Sequence, residues 1–241
     1  MMRIIRLGFL GLLAAGTAVA QNAAPAPTDL RAELLARGAP ADLANQIQQI
    51  VAQAAHDGLP TEPLADKALE GWAKQYPPER LLIGVGDLRH RLTAAHEAAV
   101  EAGLAAPPDA VVSAAAQSLG RGLAPEDVRT LIRAAARPDA AAIGLMVASS
   151  LAAQGIERSA AARTVAQAFK DGHSSSEVLE LPSLAASMMA RGMTLAEVTH
   201  RMLAGNALGV ERPDVAARGA GPAITVAPPV RPETQTPPKK P

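Results

Sequence analysis

GLPTEPLADKALEGWAKQYPPERLLIGVGDLRHRLTAAHEAAVEAG, residues 58–103, contains two consecutive helices with their start and stop signals attached. Gly58 ends a preceding helix, and Leu59 is the apolar residue expected after a left-handed glycine cap. Thr61 is placed to cap the next helix, with Pro63 in its first turn, where a missing N–H costs nothing. Leu64, Ala68 and Trp72 recur at four-residue steps and make one face apolar. Glu70 and Lys74 stand on the polar side at i, i+4 in the favourable order. Pro77-Pro78 stops this helix and starts a second, whose stripe is Leu81, Val85, Leu88, Leu92, Ala95 and Ala99. Gly84 and Gly86 lie inside it at a cost of about 1 kcal/mol each relative to alanine. They mark either a kink or the close approach of another helix. The lone GVG has no strand before it and no further glycines, so it is not a phosphate loop.

The same grammar extends in both directions. Upstream, Thr28 is expected to cap a short helix ending at Gly38, and Pro40 opens another that turns Leu43, Ile47, Ile50, Val51 and Ala54 inward. Downstream, Pro107-Pro108-Asp109, Pro125-Glu126 and Pro138-Asp139 each start a helix. A further helix covers Glu157 to Lys170. Ser174 with Glu177, and Thr194 with Glu197, form S/T-x-x-E capping boxes, and Pro182 restarts or kinks the chain between them. No stretch alternates apolar and polar residues between turn signals, so no sheet is expected. The fold class that follows is all-α: an irregular multi-helix bundle or a short stack of helical hairpins, with about nine to eleven helices.

A weak repeat is compatible with the stack, although any succession of capped helices would also yield such glycines. A glycine followed by Leu, Ile or Met precedes, by six residues, an inward apolar position: Gly58 with Leu64, Gly122 with Val128, Gly155 with Ala161 and Gly192 with Val198. The last three glycines are spaced as one helical hairpin each.

The ends differ from the middle. Met1–Ala20 reads as a secretory signal, with Arg3 and Arg6 before an apolar run and Ala18-Val19-Ala20 as the cleavage site. The mature chain then begins at Gln21, with a flexible lead over 21–27, and is periplasmic or secreted without a membrane anchor. The helical domain is expected over 28–208, with a subdivision placed near 104–108. Residues 209–241 are proline-rich, carry no apolar periodicity, and read as a disordered tail.

Composition excludes several functions. The formal net charge is +0 and aromatics make up 2%, which argues against nucleic acid as a partner. Cysteine is absent, which removes disulfides, thiol nucleophiles, thiolate metal ligands and lipid anchoring through an N-terminal cysteine. Asp87 with His90, and Glu197 with His200, are similar to the carboxylate–histidine pairs of di-metal helical bundles, which would imply a metal-dependent oxidase. At 100° per residue both pairs point away from their helix's apolar stripe, and the further inward glutamates are missing, so they read as solvated faces. His96 flanks an apolar stripe. His56 and His173 adjoin helix-ending glycines, where a cation complements the helix terminus. Ser174-Ser175-Ser176 is accounted for by capping, and no G-x-S-x-G or H-E-x-x-H occurs.

What remains are apolar surfaces. Trp72 and Tyr76, at i, i+4, are two of the few aromatics; they either plug an alanine-thin core or, if exposed, mark a partner surface. Met188, Met189, Met193 and Met202 cluster near the end of the helical region, where they either fill the core, the commoner use of methionine, or line an adaptable groove. The expectation is an exported, non-catalytic interaction or structural module of the cell envelope with no cofactor. Its partner is another envelope protein or, in the alternative, an apolar small molecule carried between helices.

Overall fold

Asp29 opens the first helix by accepting the Ala32 N–H on its carboxylate, so the cap falls one residue after the expected Thr28. The computed structural model describes residues 29–204; the expectations for the signal, the lead and the proline-rich tail concern residues outside that range. Among the described residues there are eleven α-helices and no strand. They fall into two compact units, whose boundary at His90/Arg91 lies within a helix, while the loop 102–108 belongs wholly to the second.

The first unit contains α1 (Leu30–Ala36), α2 (Ala41–His56), α3 (Glu62–Ala73) and the first half of α4 (Pro78–Glu101). Helices α1, α2 and α3 pack against one another. Their core is Leu34, Leu43, Ile47, Ala54, Leu64 and Ala68, with Leu81 and Val85 from α4 also buried. Ile50 and Val51 are only half-buried. Thr61 precedes α3 in helical rather than extended backbone, and its hydroxyl makes no capping bond. Gly71 is required by packing: a Cβ there would stand 2.4 Å from Leu81 Cδ1. Gly84 and Gly86 do not repeat this. A Cβ would meet only the Lys67 side chain at one and nothing at the other, so no close approach within the described chain explains them.

The second unit is a stack of three hairpins. Its helices are the second half of α4, α5 (Asp109–Gly120), α6 (Pro125–Ala134), α7 (Pro138–Ala153), α8 (Arg158–Lys170), α9 (Ser175–Leu179), α10 (Leu181–Ala190) and α11 (Leu195–Leu203). Helix α7 packs on α5 and on α10, while α8 packs on α6 and on α11. The hairpins α5–α6, α7–α8 and α10–α11 therefore stack in order, with first helices beside first helices and second beside second. Gly122, Gly155 and Gly192 are the turns inside these three hairpins, which gives the spacing seen in the sequence its structural meaning.

Each turn is built alike. At Gly122 (φ +90°) the glycine N–H donates to Leu119 O at 2.9 Å, and the next residue's N–H, on Leu123, reaches Ser118 O at 3.0 Å. These are the two bonds of a Schellman cap, and the apolar residue that follows folds back into the core. The helix starts are equally local. The Glu157 carboxylate accepts the Ser159 and Ala160 N–H groups and caps α8. Glu177 accepts from Ser174 N–H and hydroxyl, and Glu197 from Thr194 N–H and hydroxyl. These donated bonds hold all three carboxyls below the usual glutamate range.

Charge is divided between the two rows of helices. Asp109 and Asp139, each in a first turn, are the only acids or bases in α5, α7 and α10. The second-row helices are charged throughout: α6 carries Glu126, Asp127, Arg129 and Arg133, and α8 carries Arg158, Arg163 and Lys170. Burial alone does not account for this, because Ala110, Gln117, Met146, Ser183, Ala186 and Ala190 are exposed and still uncharged.

Candidate functional site

The two aromatics singled out in the sequence stand at one depression of about 680 Å³, between the end of α1 and the junction of α3 with α4. Arg37, Trp72, Gln75, Tyr76, Pro77 and Pro78 line it. Trp72 and Tyr76 are both half-buried. The indole N–H of Trp72 donates to Arg37 O at 3.0 Å, which fixes the ring and satisfies a carbonyl at the end of α1. The Arg80 guanidinium lies over the Tyr76 ring, 5.0 Å from its centroid. With its polar edge engaged internally, Trp72 contributes only its apolar ring to the depression. The Tyr76–Arg80 pair adds a π surface already covered by a cation.

Gln75 sits in the middle of this wall with φ 58°, the one non-glycine residue at positive φ among the described residues. Its N–H donates to Trp72 O and the Tyr76 N–H to Gly71 O, so the turn is the same Schellman cap that glycine forms elsewhere. A side chain in this conformation costs roughly 1–2 kcal/mol. Such strain concentrates at functional positions. Gln75→Gly is expected to raise stability by about 0.5–1 kcal/mol, since glycine's greater chain entropy offsets part of the relief. Urea unfolding of the two proteins measures it, and an unchanged midpoint would mean that the backbone strain is compensated locally.

The methionines do not form one surface. Met188 and Met202 are in the core, at 6% and 2% exposure, while Met189 and Met193 are half-buried. Of the four, only Met193 lines the shallow depression on α11, with Ala196, Glu197, His200, Arg201 and Ala204. A third depression, about 500 Å³, lies between the hairpin turns at Gly122 and Gly155. Its polar groups are engaged in the fold: Glu157 caps α8, and Arg158 Nε–H donates to Arg121 O at 3.2 Å.

Among the described residues the histidines and carboxylates meet only in isolated pairs between near neighbours in sequence. Asp87, His90, Glu197 and His200 are exposed, and His96 is half-buried. Glu197 is occupied as a cap. His173 Nδ1 lies 3.6 Å from Glu177, and His56 Nδ1 lies 3.4 Å from Asp57. Asp57 also accepts from Arg89 and Gln53, and the Arg89 bond is the main reason its carboxyl is held below the usual range. Among the described residues no group of three such side chains is placed to hold a metal ion. Two of the buried hydroxyls tie α5 to α7: Ser149 donates to Ser118 at 2.9 Å, and the Ser118 hydroxyl lies 3.2 Å from Leu145 O as well as 2.9 Å from Ala114 O of its own helix. No described helix is long and apolar enough to cross a membrane.

Sequence reasoning missed two features here. Arg37 and Gln75 join the aromatic site only through the packing of α1 on α3 and the backbone at the end of α3. The uncharged first row of the stack was legible as an alternation of charge-free and charged helices. No family model, no curated protein and no solved structure matches the chain.

Proposed function

We propose that the protein is an exported, non-catalytic interaction module of the cell envelope that docks another envelope protein at the Trp72–Tyr76 depression. The observation that carries this reading is the half-exposed aromatic pair gathered around the strained Gln75. Exposed Trp and Tyr in a preformed hollow are the residues that dominate binding energy at protein interfaces. The export signal in the sequence supports an envelope address.

A photo-crosslinking side chain at Gln75, in cells, tests it. One envelope protein is expected to be captured reproducibly there and not from a probe at Lys170 on α8. The adduct should fall at least tenfold when Tyr76→Ala is added with the helical signal intact. Equal capture at both positions, or an adduct indifferent to Tyr76→Ala, counts against the proposal. A small molecule retained at one per chain in a native mass spectrum would instead favour the carrier.

A further inference from the structure

We infer that the Trp72–Tyr76 depression is occupied by the protein's own proline-rich stretch, residues 228–233 (PPVRPE), which an incoming partner has to displace. The displacement rests on the docking reading given above; the occupancy does not.

The depression has the walls that an extended segment needs. Trp72 and Tyr76 supply aromatic rings, and Pro77 and Pro78 stand beside them with no side-chain freedom to lose. The two aromatic rings are half-buried, so they are held in place and still accessible. The Trp72 N–H is spent on Arg37 O and takes no part in recognising a peptide carbonyl. The exposed Gln75 amide lines the same wall and carries donors for that purpose. The charge at the rim is specific too. Arg37 is paired with Glu33, and Lys74 with Glu70. Arg80 lies over the Tyr76 ring and, among the described residues, has no carboxylate within ion-pair distance. Glu79 beside it lies in the first turn of α4, where the helix terminus favours a negative charge, and does not line the depression. The site therefore suits an apolar, proline-bearing segment followed by a carboxylate.

The chain beyond Ala204 carries such a segment. Proline favours polyproline II, an extended helix of three residues per turn whose carbonyls make no internal bonds. Pro229 and Pro232 are three residues apart and share one edge of it, the P-x-x-P arrangement that packs on aromatic grooves. With that edge on the rings, Glu233 pairs with Arg80 from the second edge, and Arg231 is left to solvent on the third. The later pair, Pro237-Pro238, is followed by Lys239 and Lys240 and would bring two cations to an unpaired arginine. Reach is sufficient. The 24 residues from Ala204 to Pro228 extend to about 80 Å, whereas bodies of the size of the two units have diameters that sum to roughly 60 Å. The segment thus reaches the depression whatever the arrangement of the units. Such a tether gives a local concentration on the order of 1 mM, so an intrinsic affinity of about 100 µM fills the site roughly nine-tenths of the time.

Trp72 is the only tryptophan in the chain, so its fluorescence reads this depression directly. The test is acrylamide quenching of the full chain at about 1 and about 100 µM, with Pro229→Ser/Pro232→Ser, Glu233→Lys and Pro237→Ser/Pro238→Ser variants. The first variant is expected to raise the quenching constant at least twofold, and Glu233→Lys to raise it in the same direction. Pro237→Ser/Pro238→Ser should leave it at the parental value. A synthetic peptide of residues 226–236, added at about 1 mM to the Pro229→Ser/Pro232→Ser chain, should restore the protection. The substitutions lie outside the described helices, and an unchanged helical signal checks that each variant folds. Equal quenching of the parent and the Pro229→Ser/Pro232→Ser chain overturns the inference. So does protection seen only at the higher concentration, which assigns the segment to a second copy, or protection lost as fully in Pro237→Ser/Pro238→Ser. The partner is read separately, by crosslinking at Gln75. Capture that fails to rise at least threefold in Pro229→Ser/Pro232→Ser overturns the displacement. No captured protein in that variant overturns the docking reading while the occupancy stands.

Discussion

Leu145→Ala is expected to destabilise the hairpin stack by about 3–4 kcal/mol, within the range for truncating a fully buried leucine. Leu145 is inaccessible to solvent on α7, the helix that packs on α5, α6, α8, α9 and α10. A void made there has neighbours on all sides, and each is held by its own further contacts. The surroundings relax little, so the cavity contribution of about 24 cal/mol per Å³ adds nearly in full to the lost transfer free energy. The loss corresponds to a melting temperature about 10 °C lower for a unit of this size. Urea unfolding should show a lower midpoint with an unchanged slope. A loss under 1 kcal/mol would mean that the stack closes over the void and that α7 is not its organising helix.

The neighbouring position fails in the opposite way. A Cβ added at Gly144 would lie 2.6 Å from Phe169 Cε2 and 3.3 Å from Val165 Cγ1, both on α8. Gly144→Leu should therefore cost about 3 kcal/mol, at the upper end for overpacking, even though leucine is the better helix former by somewhat under 1 kcal/mol. The diagnostic is a double-mutant cycle. Phe169→Ala alone destabilises by removing ring contacts, but in the Gly144→Leu background it opens the space the leucine needs. A favourable coupling of at least 1 kcal/mol is expected. Additive losses would show that Gly144 is not set by the α7–α8 approach.

How far the sequence could be read depended on the range of the interaction. Helix starts and ends were legible because their signals lie within six residues. Gly122-Leu123, Ser174 with Glu177, and Thr194 with Glu197 make the bonds their spacing implies. Thr61 made no cap bond, because the backbone ahead of Pro63 is helical and its hydroxyl is not directed at the first N–H groups. Gln75 was invisible as a left-handed residue, since nothing in its side chain announces a conformation imposed by the Schellman turn. The methionine cluster shows a different limit. Met188 and Met189 are adjacent in sequence but 100° apart on a helix, so one enters the core while the other does not.

The sequence by itself determined an all-helical protein and the position of nearly every helix boundary, while the spacing of Gly122, Gly155 and Gly192 fitted a hairpin repeat and a plain succession of capped helices equally well. Those features rest on capping bonds and on 3.6-residue periodicity, both local. Only the tertiary structure decided which helices share a row. It also decided that Arg37 meets Trp72 across 35 residues of chain. These pairings depend on which apolar stripe packs against which other. Stripes of alanine, valine and leucine are nearly interchangeable one by one, and shape fit summed over many small contacts selects the partner.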